Sequence, residues 1–145
     1  MAELNAARVE QVFRDANFVR SIGLELVEFG LGWCHTLIRV SPMLLQQHGF
    51  VHGGVLMTLT DHTCGAAAAS TIPADKDVIT IENKVTFLRP AVGDVLYCNA
   101  RVLRTGKTMV FAEAEILVDR NHERVLVTKA SSTLSVIPLS PGSKS

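Results

Sequence analysis

A glycine-rich turn followed by a helix that is apolar on nearly every side constrains this chain more than any other feature. Gly53 and Gly54 lie where the helix should begin, and in residues 55–70 Asp61 is the only acidic side chain. A helix that is apolar all round is normally buried. Asp is a poor residue inside a helix, and burial of a lone carboxylate is costly. We therefore expect the function of the chain to depend on Asp61, because such local conflicts concentrate at functional sites.

The composition predicts one cytoplasmic domain. The chain has 145 residues, and its 14 Lys and Arg balance its 14 Asp and Glu, so no nucleic acid or anionic membrane is expected as a partner. Three widely spaced cysteines among apolar neighbours, Cys34, Cys64 and Cys98, indicate reduced thiols. The N-terminus lacks a signal-peptide pattern, and the apolar helix is too short for a membrane span.

Hydrophobic periodicity predicts the order of the elements. Residues 3–19 have the spacing of an amphipathic helix, and residues 24–40 alternate as a hairpin with Gly30 and Gly32 at its turn. Four further extended runs follow the apolar helix, at residues 78–88, 95–103, 109–118 and 125–136. The short turns at residues 91–94 and 104–107 predict that these strands pair in series as an antiparallel meander.

These elements predict a single α+β domain over residues 1–137, with a short N-terminal helix in residues 1–20 and a flexible tail at 138–145. One antiparallel sheet must wrap around the apolar helix. Since one sheet face covers only part of such a helix, we expect a second copy of the chain to cover the rest, in a homodimer or larger assembly.

Three features in order carry a family resemblance. They are the run Gly-Phe-Val-His-Gly-Gly-Val at residues 49–55, then Asp61, then Val-Thr-Phe-Leu-Arg-Pro-Ala at residues 85–91. Over residues 20–137 the chain resembles the hotdog-fold acyl-CoA thioesterases, and within them the PaaI-like branch.

The resemblance implies a five- or six-stranded antiparallel sheet wrapped around one long helix. It implies homodimers whose sheets join edge to edge, commonly paired into homotetramers. The active sites then lie at the dimer interface, where the acid and the carbonyl-binding groups come from different subunits. The expected substrate is an acyl- or aryl-CoA. Coenzyme A is part of that substrate, and no separate cofactor or metal is implied.

Hydrolysis of a thioester needs a nucleophile or activated water and a stabiliser for the oxyanion. Asp61 is the candidate general base or nucleophile, and Gly65, one turn on, leaves room beside its carboxylate. The oxyanion donor is expected to be the backbone N–H of Gly53 or Gly54. The first N–H groups of a helix are unpaired and lie at the positive end of its dipole, and a glycine lets the carbonyl approach closely.

The resemblance suggests roles for further residues. Gln46 falls where the family has an Asn or Gln that donates to the thioester carbonyl, and His52 either helps to hold that carbonyl or fixes the loop. Thr80 falls where some relatives have a Ser or Thr that orients the attacking water. We expect the remaining substrate-binding residues to shape the acyl pocket or to meet the CoA phosphates; they are Phe50, Met57, Gly54, Arg89, Arg104 and Lys107.

Three other interpretations remain open. The polar side chains at His48, His52, Asp61, His62 and Cys64 could serve a metal-dependent hydrolase, although the glycines disrupt a helical ligand spacing. A non-catalytic acyl-CoA-binding module and a hydratase with the same fold are the others. The sequence leaves the acyl group, the choice between base and nucleophile, and the choice between dimer and tetramer undecided.

Overall fold

The computed structural model describes residues 2–140 of the chain. Two short helices precede the first strand, one long helix follows the second strand, and the remaining strands come in series. In order, the elements are α1 (Ala6–Arg14), α2 (Asn17–Ser21), β1 (Leu24–Gly30), β2 (Trp33–Arg39), a 3₁₀ turn (Pro42–Leu44), α3 (Gly53–Ala69), β3 (Lys76–Phe87), β4 (Val95–Thr105), β5 (Met109–Arg120) and β6 (Glu123–Pro138).

The six strands form one antiparallel sheet around α3, in the order β1-β2-β4-β5-β6-β3. Alternate residues of β2 and β5 face the helix and are buried, as their period of two predicts. The buried sets are Cys34, Thr36 and Ile38 on β2, and Val110, Ala112, Ala114 and Ile116 on β5. This is the hotdog architecture, so the predicted fold class is confirmed.

The predicted pairing of β3 with β4 is wrong. β3 pairs with β6, and β4 pairs with β2, so residues 88–94 cross the sheet instead of closing a hairpin. Three strand spacings amount to ~14 Å, and a segment of this length can extend ~23 Å. A hydrogen bond from the Val51 N–H to the carbonyl of Ala91, at 3.0 Å, holds the middle of this crossing segment. Turn length alone could not distinguish this crossing from a hairpin.

The N-terminal helix is divided in two, whereas the sequence predicts one helix over residues 3–19. Asn5 caps α1 by accepting a hydrogen bond from the Arg8 N–H at 3.3 Å. The helix ends at Asp15, and Ala16 leaves the helical region with φ −85° and ψ 87° before α2 begins. Asp competes for backbone hydrogen bonds and disfavours helix interiors, which accounts for a break at this position.

The three cysteines are free and buried, as their sequence context predicts. Burial raises the pKa of the Cys34 and Cys64 thiols to about 12, and it also raises the pKa of Cys98. No helix within residues 2–140 combines the length and apolarity needed to cross a membrane. The predicted tail begins at the end of β6, and its last part, 141–145, lies outside the described residues.

Candidate functional site

One stripe along α3 stays uncovered by the sheet. Its members recur every three or four residues and are exposed or half-buried: Gly54, Met57, Thr58, Asp61, His62 and Gly65. The opposite side of the helix is buried. Asp61 therefore lies half-buried on this open stripe rather than in the interior, and the helix that looks apolar all round in sequence has one face that the sheet does not cover.

Thr80 on β3 holds the carboxylate of Asp61. Its hydroxyl donates to Oδ1 of Asp61 at 2.8 Å, while Oδ2 has no hydrogen-bond donor among the described residues. A β-bulge interrupts the pairing of β3 with β6 between Thr80 and Glu82. Because a bulge resets the alternation of a strand, Thr80 and Asn83 both reach α3, and Glu82 is exposed.

Asn83 is a site residue that the sequence did not reveal. Its side-chain amide donates to the carbonyl of Met57 at 3.3 Å and to the hydroxyl of Thr60 at 3.2 Å. Its oxygen accepts from the hydroxyl of Ser132 on β6 at 2.6 Å. These bonds fix β3 to α3 one turn before Asp61. Strict alternation from Thr80 would have placed Glu82 there, so only the bulge explains the role of Asn83.

His62 is the second residue whose surroundings the sequence did not reveal. Its ring meets the ring of Phe13 edge to face, with 4.9 Å between centroids, and its Nε2 is buried without a partner among the described residues. Burial lowers the pKa of His62. The Asp61 carboxylate and a hydrogen bond to the Val12 backbone partly offset this shift. The net shift favours the neutral form of the imidazole next to Asp61.

Two cavities flank the Asp61 carboxylate. The larger, about 380 Å³, also contacts Phe18, Met57 and Thr80. The smaller, about 160 Å³, extends along the helix past Gly65. A Cβ at Gly65 would meet no atom within 4 Å, so the glycine leaves open space beside the acid, as the sequence predicts.

The N-terminus of α3 presents one unused backbone donor. The side chain of His52 accepts the Gly54 N–H at 2.8 Å, and the His52 carbonyl accepts the Val55 N–H at 3.0 Å. The Gly53 N–H has no acceptor among the described residues. The geometry thus distinguishes the two glycines: Gly53 has a donor available for a ligand, whereas that of Gly54 is engaged by the helix cap. His52 fixes the loop.

Gln46 and Gly53 line one groove of about 420 Å³, together with Phe50, Phe87 and Arg89. The Oε1 of Gln46 accepts the His48 N–H, which orients the side chain and leaves its amide nitrogen as the donor for a ligand. The residues that cross the sheet from β3 to β4 supply the other wall of this groove. The groove therefore offers two donors, one from the helix terminus and one from Gln46.

The acid and the two donors do not converge within one chain. Gly53 and Asp61 lie ~12 Å apart along the helix axis, given 1.5 Å per residue. Met57 lines the larger Asp61 cavity, whereas Phe50 lines the groove. A single thioester carbon cannot contact both groups of residues on the same copy of the chain.

The predicted phosphate ligands lie at two different places. Arg89 is in the groove, and its guanidinium donates to the carbonyl of Leu126 at 2.8 Å. Arg104 and Lys107 flank the turn between β4 and β5, where Thr105 bonds to Thr71 beyond the C-terminal end of α3 at 2.8 Å. Within one chain, those two cations are at the opposite end of α3 from Gly53.

The residues considered for a metal-dependent hydrolase are dispersed. Within the described part of the chain, no three His, Cys, Asp or Glu side chains come close enough together to hold a metal ion. His48 is on the loop and stacks on Phe50, and Cys64 is buried on the sheet side of α3.

Comparison with known proteins identifies related chains. Residues 48–124, just over half of the chain, match the thioesterase superfamily. A Caenorhabditis elegans protein provisionally named an esterase is 37% identical over 99 residues; the match covers 68% of this chain and 57% of that protein. The 1,4-dihydroxy-2-naphthoyl-CoA hydrolase of Listeria monocytogenes is 27% identical over 111 residues, covering 77% of this chain and 89% of that enzyme.

A crystal structure of a thioesterase family protein from Silicibacter pomeroyi has a similar fold over nearly its whole length. It is 30% identical and superposes with a TM-score of 0.89, covering 92% of this chain and 98% of that one. The likeness thus extends over the sheet, over α3 and over the segments that form the groove.

Proposed function

Because the chain belongs to the thioesterase superfamily, we propose that it is an enzyme that hydrolyses the thioester of an acyl- or aryl-CoA to the free acid and CoA. The related hydrolase named for a naphthoyl-CoA supports the choice of a CoA thioester. The observation that carries the proposal is the Asp61 carboxylate. It is held by Thr80 through one oxygen, its other oxygen has no donor within residues 2–140, and the residue lines an open cavity.

We propose that each active site is built from two copies of the chain. The separation of Asp61 from the Gly53 groove within one chain supports an arrangement in which the two parts come from different subunits. The edge strand β3 supports edge-to-edge pairing, because its Ile79 and Ile81 side chains are 55% and 62% exposed. An unpaired apolar edge strand tends to pair with another chain. Joining two β3 strands would bring the open stripes of two α3 helices together.

In the proposed reaction, the thioester carbonyl lies between Asp61 of one subunit and the groove of the other. The Gly53 N–H and the Gln46 amide donate to the carbonyl oxygen and stabilise the tetrahedral oxyanion. Asp61, oriented by Thr80, either takes a proton from the attacking water or attacks the carbon itself. In both routes the tetrahedral intermediate expels CoA as the thiolate, which solvent protonates. In the second route the acyl group is left as an anhydride with Asp61, and water then hydrolyses this anhydride to release the acid and regenerate the Asp61 carboxylate. This reaction needs no metal ion or organic cofactor, so activity should survive exhaustive chelation.

Arg89 is the groove residue that we assign to a CoA phosphate, because it is the charged side chain in the lining that also contains the two carbonyl donors. Arg104 and Lys107 would contribute only if the CoA of one site extends over the far end of a neighbouring α3 helix. Pairing of dimers into a homotetramer completes the proposal, and light scattering of the purified protein measures it directly.

Mixed dimers test the composite site. Asp61→Asn removes the acid, and Gly53→Pro removes the N–H donor. If the site is shared, a purified dimer of one subunit of each kind has one intact and one doubly altered site, and it should regain about half of the wild-type rate. Both parent homodimers should be nearly inactive. If acid and donor act within one subunit, the mixed dimer stays inactive and the two-copy site is refuted.

The reaction itself is tested by release of thiol from acyl-CoAs. Turnover by the wild type, together with a loss of at least ~10²-fold in Asp61→Asn, supports Asp61 as the general base or nucleophile. Binding of CoA esters without turnover would point to the non-catalytic module instead. A single turnover in ¹⁸O-water distinguishes the two routes, because attack by Asp61 itself can place an unlabelled carboxylate oxygen in the first acid released.

A further inference from the structure

The N-terminal segment, which we define as residues 6–21 of α1 and α2, lies against both cavities beside Asp61. Val12 on α1 lines the smaller cavity, and Phe18 and Val19 on α2 line the larger one. The break between the two helices falls between these contacts. The segment therefore forms part of the wall around the acid on both sides.

α1 is anchored firmly to the domain. Val9 is completely buried, and the guanidinium of Arg8 lies 3.7 Å from the carboxylate of Asp77 on β3. The Asn5 N–H, just before the helix, donates to the carbonyl of Ser70 at the end of α3 at 3.1 Å. Together with the edge-to-face contact of Phe13 on His62, these bonds fix the position of Val12 next to the acid.

Phe18 is held much less tightly. Its side chain is 63% exposed, although its neighbour Val19 is 7% exposed and packs in the core. A large apolar ring that stays exposed to water beside a cavity is unfavourable. An apolar ligand in the larger cavity would cover that ring.

The two ends of the proposed site differ in charge. The groove contains the cation Arg89. The two cavities contain the carboxylates of Asp61 and Asp77, and their described linings include no Lys or Arg. The phosphates of CoA are therefore repelled from the cavities, and the acyl group is the part of the substrate that fits there.

Three polar side chains of the larger cavity already have partners within the protein. The Thr58 hydroxyl donates to the carbonyl of Gly54 at 2.9 Å, and the Thr80 hydroxyl donates to Asp61. Asn83 uses both its amide nitrogen and its oxygen in bonds to α3 and β6. A carboxylate on the acyl chain would lose its water beside the like charge of Asp61 and would gain none of these three groups as a partner, which is costly.

We propose that the N-terminal segment is the wall of the acyl-binding site, that Phe18 limits the length of the acyl chain, and that the acyl group is an uncharged aliphatic or aryl group. This inference rests on the proposed thioesterase function and names its substrate class. The segment lies outside the region matched by the superfamily, which begins at residue 48, so it can set a specificity that the shared core does not determine.

The test compares kcat/KM for butanoyl-, octanoyl-, hexadecanoyl- and phenylacetyl-CoA with that for analogues that carry a terminal carboxylate. Phe18→Ala should raise the ratio of the longest to the shortest chain by ~10-fold or more, and Phe18→Trp should lower it, since one methylene in an apolar pocket discriminates by about 10–200-fold. The carboxylated analogues should be poorer by ~10-fold or more. Val27→Ala, on the opposite edge strand and similarly exposed, is the matched control.

Calorimetric binding of the same esters to Asp61→Asn, with and without Phe18→Ala, tests the wall separately from turnover. A wild type that hydrolyses no ester would refute the proposed function, while a chain-length preference in binding that depends on Phe18 would still support the wall. The inference is overturned if both Phe18 variants keep the wild-type preference as Val27→Ala does. It is equally overturned if Phe18→Ala changes only the oligomeric state in light scattering.

Discussion

Replacing Gly53 by proline should abolish catalysis while leaving the fold intact. Gly53 is the first residue of α3, a position where proline is favoured because its missing N–H has no partner in the helix. The preceding residue, His52, already has φ −60° and ψ 136°, the extended conformation that a following proline requires. Since proline also restricts the unfolded chain, Gly53→Pro should change the free energy of unfolding by at most about 1 kcal/mol, in the stabilising direction.

The catalytic effect should be far larger. Loss of one oxyanion donor lowers kcat by about 10²–10³-fold, or about 3–4 kcal/mol of transition-state stabilisation. Gly53→Ala is the matched control, because it keeps the N–H and adds a Cβ at the same place, 3.0 Å from Cζ of the Phe87 ring. That ring is half exposed and can shift. Thiol release and thermal melting measure both effects. Equal activity of the two variants would refute the Gly53 N–H as the oxyanion donor.

Three further variants test other contacts of the site. Thr80→Val should lower kcat roughly 10-fold or more, because a hydrogen bond to a charged group contributes about 1.5–3 kcal/mol; kinetics of Thr80→Ser, which keeps the hydroxyl, should be near wild type. Gly65→Ala should stabilise the protein by up to about 1 kcal/mol, since it replaces a glycine inside a helix with a Cβ that meets no neighbour, yet it should lower kcat/KM for large acyl groups. His62→Gln should reduce the loss of stability on acidification, which urea titrations at two pH values measure.

The sign of the His62 effect follows from its burial. The folded chain lowers the pKa of His62 below its ordinary value of 6.5, so the unfolded chain binds a proton that the folded chain does not. The contribution of His62 to the free energy of unfolding is fully present above pH 6.5. It is lost as the pH falls from 6.5 towards the lower pKa that His62 has in the folded chain. His35→Gln is the comparison variant, because the half-buried His35 on β2 lies next to Glu28, at 3.1 Å between Nδ1 and Oε1, and away from Asp61. If the two variants respond alike to acidification, His62 is not responsible.

The parts of the fold that follow from local pattern could be predicted from sequence. Alternation predicted the strands β1, β2 and β5, and the glycine pair with its following apolar run placed the start of α3 at Gly53. Family resemblance pointed to Thr80 as a residue that orients the attacking water; its hydroxyl donates to Asp61 in the structure, and the role itself stays a prediction. Each of these depends on residues within one element or on a motif with fixed spacing.

What could not be predicted depends on long-range geometry. The pairing of β3 with β6 requires residues 88–94 to cross the sheet, and nothing in their length or composition distinguishes that path from a hairpin. Asn83 reaches α3 only because of a bulge whose position has no clear local signal. The placement of Phe18 near Asp61 depends on the break after α1. The amphipathic pattern of the sequence continues through that break, so the pattern does not indicate it.

Asp61 is a carboxylate in an otherwise apolar helix, and this cost of burial predicts how removal of Asp61 should affect dimer assembly. In one chain the carboxylate is half-buried and bonded to Thr80, so its desolvation is incomplete. Pairing two open stripes of α3 would bury it further, and that burial opposes dimer formation unless a partner group compensates. If Asp61 is retained for catalysis, the Asp61→Asn dimer should be as stable as the wild-type dimer or more stable, and its turnover should be lost. Active-site residues commonly lower stability in this way while they support function. Dissociation constants from analytical ultracentrifugation measure this. A clearly weaker dimer would mean that Asp61 bonds across the interface and that its role is structural.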